Sequence, residues 1–373
     1  MSETVQIGVA KAGRIGYGFS DIAVVPDRRT RDAEDVSVSW SIDAFHFDLP
    51  VIGAPMDSAS SPETVIALGR AGGLGVLDLE GLWTRYEDPT DAYRRIHEAS
   101  DEDAGSVLQQ VYAEPVKAEL ITARLAEIRA AGVTVAGALS PQRTQQFYQT
   151  VLDAGVDLFV IRGTTVSAEH VSNTTEPLNL KKFIYELDVP VIVGGAGTYT
   201  TALHLMRTGA AGVLAGFGGG ATSSSIKTLG LRTPMATAVA DVAGARRDYL
   251  DESGGRYVHV IADGSLGLAG DIPKAIAVGA DAVMLGTALA RASEAPGAGY
   301  HWGAEARHAK LPRGSRVNVG TAGSLDEVLF GPAHNADGKL NLIGALRKSM
   351  ATTGYTDLKE FQKAPVAISH YEV

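Results

Sequence analysis

The stretch YVHVIADGSLGLAGDIPKAIAVGADAVMLGT at residues 257–287 decides the fold. An apolar run at 257–262 breaks at Asp263-Gly264, and a glycine-rich turn follows. A helix-compatible segment at 269–278 then stops at Gly279, and a second apolar run, 282–286, begins at once. Short β-branched runs bounded by glycine read as strands buried on both faces, and the helix between them makes the pair a parallel β/α unit. A glycine just past a helix takes the left-handed cap without a Cβ clash. Working upstream, the same unit recurs. Apolar runs at 50–54, 73–79, 133–138, 158–162, 189–194 and 212–216 alternate with helix-compatible segments at 62–71, 116–131, 144–154, 198–208 and 235–250, and further stops fall at Gly72, Gly132, Gly155 and Gly209.

Eight such runs predict an α/β protein, a single-domain (β/α)8 TIM barrel with its site at the C-terminal ends of the strands. An open doubly wound sheet would carry its nucleotide fingerprint after the first strand. Here the glycine clusters follow strands five to eight, which favours the barrel. Segments 80–114 and 300–339 are longer and more polar, so they read as excursions over the barrel face, with Asp101-Glu102-Asp103 a solvated turn.

Composition narrows the function. A chain of 373 residues, 45% apolar and 20% charged, is that of a globular protein with a large core. A net charge of −10 argues against nucleic acid as the main partner. The absence of cysteine removes disulfides, thiolate metal sites and thiol nucleophiles together. The first residues lack a secretory leader's basic and apolar regions, and no run of about 18 apolar residues appears, so a cytoplasmic protein that does not span a membrane is expected. No His or carboxylate grouping has metal-ligand spacing.

Two loops suit an anion. Gly264 and Ser265 follow strand seven, and Gly286 and Thr287 follow strand eight, the usual phosphate position of barrel enzymes. Glycine N–H groups beside a helix start attract a dianion, and Asp263 could accept hydrogen bonds from a ribose diol. The plainer reading is a pair of tight turns that close the barrel. His259 lies within strand seven and reads as packing. His301 and His308, with Arg307, Lys310 and Arg313, sit in the excursion after strand eight as candidates for acid–base or phosphate contact, or as a solvated basic loop. Glu305 is a candidate contact to a purine edge.

These segments, with GVLAGFGGGATSSS at 212–225, FSDIAVVP at 19–26 and LPVIGAPMD at 49–57, resemble the IMP dehydrogenase/GMP reductase family. The resemblance runs from about Phe19 to Leu358. It is closest to the IMP dehydrogenase-related paralogues of actinobacteria and cyanobacteria that lack the regulatory CBS domain, and the interval 79–115 is too short to hold one. It implies a purine nucleoside 5′-monophosphate as partner, IMP first, and NAD as cofactor with NADP as its alternative. It also leaves room for a monovalent cation and implies a homotetramer. Met56 and Gly220 would contact the nucleotide, Asp263 the ribose, and Gly264, Ser265, Gly286 and Thr287 the sugar and phosphate. Ser223, in the place of the family's nucleophilic cysteine, and Ser225, in that of a threonine, would be the catalytic candidates.

Other departures go with it. Ala221 replaces a phosphate-binding serine, and Arg162 replaces an aspartate at the end of strand four beside the cofactor's nicotinamide ribose. Fifteen residues between Tyr300 and Arg316 leave the water-activating flap missing or replaced. Three readings follow: an NAD-dependent oxidoreductase of IMP, a purine-nucleotide-binding pseudoenzyme, and a GMP reductase-like enzyme.

Overall fold

The computed structural model describes residues 4–173, 177–217, 219–307 and 316–369. Its centre is an eight-stranded parallel sheet: β1 (Val51–Gly53), β2 (Leu77–Asp78), β3 (Ala136–Leu139), β4 (Leu158–Arg162), β5 (Val191–Ala196), β6 (Gly212–Ala215), β7 (His259–Asp263) and β8 (Ala282–Leu285). Each strand pairs with its sequence neighbour, and β8 pairs back onto β1 with Ile52 opposite Met284. The ring closes between β1 and the chain leading into β2, where the Gly53 N–H donates to Leu74 at 2.8 Å and the Leu74 N–H to Val51 at 2.9 Å. All eight strands fall within or against the runs expected from the sequence.

At least one helix follows each strand, among them α1 (Pro62–Arg70), α2 (Ala118–Ala130), α3 (Pro141–Asp153), α4 (Leu180–Tyr185), α5 (Tyr199–Met206), α6 (Met235–Glu252), α7 (Asp271–Ala277) and α8 (Leu342–Thr352). Local chemistry sets their ends. The Ser61 hydroxyl accepts from the Thr64 N–H ahead of Pro62, and Thr198 caps Thr201 in the same way. The five glycine stops all have positive φ, from +73° at Gly132 to +118° at Gly279, a region where a side chain would be strained.

The strand N-terminal end is plugged by the hairpin Trp40–Ile42/Phe45–Phe47. Trp40 stacks on Phe47 and meets His259 edge-on, so His259 packs as expected. Ile22–Val24 and Val366–Ile368 pair antiparallel, tying the start of the chain to its end. The excursions are less polar than their composition suggests. Helices Thr90–Glu98 and Ala104–Val111 bury Tyr93, Ile96, Leu108 and Val111 against Trp302 and Ala306 in a second core. Asp101 does sit in a turn, where it receives an ion pair from Arg316 at 2.9 Å. Among the described residues no helix is long and apolar enough to cross a membrane, and no group of side chains could hold a metal ion.

Candidate functional site

The loops at the strand C-terminal ends enclose a cavity of about 800 Å³, within the range that buries a nucleotide-sized ligand. Met56, Arg162, Gly220, Ser223, Asp263, Gly264, Ser265, Gly286 and Thr287 all line it. Residues from strands one, four, six, seven and eight thus meet at one mouth. Gly218 and the excursion residues His308, Lys310 and Arg313 lie outside the described residues.

Ser225 does not share that wall. It is fully buried at the start of the short helical turn Ser225–Leu229. Ser223 Oγ donates to Ser225 Oγ at 3.3 Å and receives the Ser225 N–H at 3.4 Å. Its hydroxyl therefore faces another hydroxyl, which is too weak a base to ionise it. The glycine loop is held against the next one by Ser265, whose Oγ donates to the Gly219 carbonyl at 2.9 Å. A Cβ at Gly219 would lie 2.1 Å from the Ser265 Oγ, so a side chain there would displace that hydroxyl from its bond.

Arg162 pairs with the carboxylate at the end of β7. Its Nε donates to Asp263 Oδ2 at 2.8 Å and its Nη2 to Oδ1 at 3.2 Å, a bidentate pair across the mouth. Burial would lower the Arg162 pKa, but the attraction of Asp263 outweighs it and raises the value. Glu305, from the excursion after β8, reaches the opposite rim and accepts from Thr164 Oγ1 at 2.8 Å.

The excursion is anchored to the loop after β1 by a hydrogen-bonded chain. Trp302 Nε1 donates to the Tyr112 hydroxyl at 2.9 Å, and Tyr112 donates to Asp57 Oδ2 at 2.6 Å, one residue beyond Met56. Tyr300 and His301 pair with Asn318 and Val317, so both ends of the shortened flap interval are fixed side by side. Arg316 lies 4.2 Å over the Tyr300 ring and donates to the Ile96 carbonyl.

His301 is buried between Met56 and Gly286, with Nδ1 2.7 Å from Ser58 Oγ. Burial, helped by Arg291, pulls its pKa down to about 3. The unfolded chain therefore takes up the proton first as pH falls. The stability from this group is complete above about pH 6.5 and is lost as pH drops towards 3. His97 and His259 are lowered in the same direction by burial. Replacing His301 by Gln should flatten the slope of unfolding free energy against pH by about 1.4 kcal/mol per unit between pH 6 and 4. Urea unfolding of both proteins across that range measures it, and an unchanged slope refutes the assignment.

Sequence reasoning missed Arg291. Its Nη1 donates to the Gly267 carbonyl at 2.6 Å, its Nε is buried without a partner, and it lines the cavity beside Thr287. Burial lowers its pKa, and Asp337, the one acid acting on it, forms no ion pair with it among the described residues. An arginine closing a run of apolar residues after strand eight was the available signal.

The geometry defines a TIM-barrel protein with a polar ligand cavity at its C-terminal mouth. The chain belongs to the IMP dehydrogenase / GMP reductase domain family, whose profile matches residues 16–327. A crystal structure of an IMP dehydrogenase/GMP reductase-like protein from Corynebacterium glutamicum superposes with a TM-score of 0.93 at 49% identity, covering 98% of each chain. A Mycolicibacterium smegmatis protein described as an uncharacterized oxidoreductase is 51% identical, across 98% of this chain and 99% of that one. An inosine-5′-monophosphate dehydrogenase of Methanocaldococcus jannaschii is 26% identical across 93% of this chain and 91% of its own length.

Proposed function

We propose that the cavity binds a purine nucleoside 5′-monophosphate, IMP first, with its phosphate at Gly264, Ser265, Gly286 and Thr287. The observation that carries this is Arg291, a half-buried cation without a carboxylate partner among the described residues, set against those two loops. A charge removed from water needs a partner, and a phosphate monoester supplies one. Met56 and Gly220 would flank the purine, and Ser223 would lie under it.

The rest of the cavity, lined by Glu80, Ser140, Gln142, Thr164 and Thr165, has polar groups and room for the nicotinamide end of NAD. When bound, that cofactor supplies hydride transfer to or from the purine, the reaction type of an IMP dehydrogenase-type oxidoreductase in purine metabolism and GMP biosynthesis. The Glu80 carboxylate on this side accepts from the Ser140 N–H at 2.6 Å. A cytoplasmic homotetramer is the assembly proposed with it. The second reading, a nucleotide-binding protein with little or no turnover, is favoured by the Ser223–Ser225 contact, which leaves the hydroxyl without a base.

Purine monophosphates at 100-fold their Kd should raise the stability of the protein by about 2.7 kcal/mol in a thermal-shift assay. Arg291→Ala should weaken IMP by about 1.5–3 kcal/mol while leaving inosine unchanged, because the charge-assisted bond is to phosphate alone. Calorimetry of both ligands decides it, and equal losses for IMP and inosine would remove Arg291 from the phosphate site.

A further inference from the structure

Asp263 ends β7 at the cavity, where its carboxylate is the natural acceptor for a sugar diol. In this chain each oxygen already accepts a bond from Arg162 at the end of β4, at 2.8 and 3.2 Å. The Asp263 side chain is only 12% exposed, so little of the carboxylate remains open to a ligand. The guanidinium holds the carboxylate through two charge-assisted bonds at once, which a single hydroxyl bond does not displace.

Discrimination against a ligand lacking a hydroxyl arises when the protein group that would bind it is left buried and unpaired. Asp263 is paired whether or not the sugar brings its 2′-hydroxyl. Its neighbours are satisfied as well. Thr164 Oγ1 donates to Glu305 at 2.8 Å, and Ser265 Oγ to the Gly219 carbonyl at 2.9 Å. We infer that Arg162, by holding Asp263, removes the distinction between ribose and 2′-deoxyribose, so that the site takes ribo- and 2′-deoxyribonucleoside 5′-monophosphates alike. This rests on the cavity being a purine monophosphate site. Arg162 acts as a positioning residue that sets sugar specificity.

The test is calorimetric titration of the full chain with IMP and with 2′-deoxy-IMP. The parent should bind the two within about threefold of each other. Arg162→Met removes the guanidinium at similar length and frees the carboxylate, so IMP should then be preferred by about tenfold or more. Arg162→Lys, which keeps the charge but not the fork, should fall between the two. Binding of both ligands by the parent with a tenfold or greater preference for IMP overturns this inference alone, and that measurement needs no variant to fold. Equal affinities persisting in Arg162→Met also overturn it, since another feature would then set the lack of preference. Failure of the parent to bind either ligand overturns the nucleotide reading and this inference together.

Discussion

Asp281→Ala is expected to destabilise the protein by about 3–5 kcal/mol, the cost of removing one partner from a buried charge network. Asp281 sits just ahead of β8, is 3% exposed and joins three parts of the chain. Its Oδ2 accepts from Arg246 of α6 at 2.8 Å and from the Val260 N–H of β7 at 2.8 Å. Its Oδ1 accepts from the Tyr257 hydroxyl at 2.8 Å, Lys359 at 2.5 Å and Gln362 at 3.0 Å. The last two lie on and just past the helix Leu358–Phe361, so one carboxylate fastens the C-terminal segment to the barrel floor.

Burial would raise the Asp281 pKa, but Arg246 and Lys359 outweigh it and hold the value low. Its contribution is therefore present above the usual carboxylate range and lost as pH falls through the lowered value. Urea unfolding at neutral pH should show the full loss, and at low pH the variant and parent should converge. The network lies at the strand N-terminal end, away from the cavity, so IMP affinity in the folded variant should not change. A loss below about 1 kcal/mol, the range of exposed ion pairs, would show that the network is not under strain of burial at all.

The sequence exposed the barrel because its strands are buried on both faces, and continuous apolar runs such as 158–162 and 212–216 are hard to place otherwise. The helices after β4 and β8 were not read. The first, Leu180–Tyr185, is only six residues and has too few turns for a periodic pattern, and the second lies beyond a long excursion. The second core at Tyr93, Tyr112 and Trp302 stayed hidden because Trp302 lies 190 residues from Tyr112 and the stretches that supply it are interleaved with charges. Motif position placed Ser223, Asp263 and Gly286 around one cavity, since the barrel gathers its loops at one end. It could not show that Arg162 and Asp263, 101 residues apart, would pair, nor that Ser225 would turn inward. Those facts depend on side-chain direction across the mouth, which no local pattern encodes.

Ser223→Cys is expected to convert a loop that forms no detectable covalent species into one that does. A thiol with a pKa near 8.5 is a few percent ionised at neutral pH and intrinsically nucleophilic, whereas a hydroxyl needs a base to compete. In the parent the nearest hydrogen-bonding group to Ser223 Oγ is the Ser225 hydroxyl, 3.3 Å away, which supplies no such base. With IMP and NAD, the cysteine variant should therefore show a protein–purine adduct by mass spectrometry and a burst of NADH approaching one equivalent per site. The parent should show neither at comparable amplitude. Little of this gain should reach the steady state. Release of the adduct requires an activated water, and the interval that would bring one is pinned at both ends by the pairing of Tyr300 with Asn318 and of His301 with Val317. Burst and steady-state amplitudes measured in one stopped-flow trace separate the two steps. Rapid turnover of IMP by the parent would end the reading of Ser223 as an ineffective nucleophile, and with it the pseudoenzyme alternative. The search for a base would then move to His301, the imidazole that packs against Gly286 at the cavity wall.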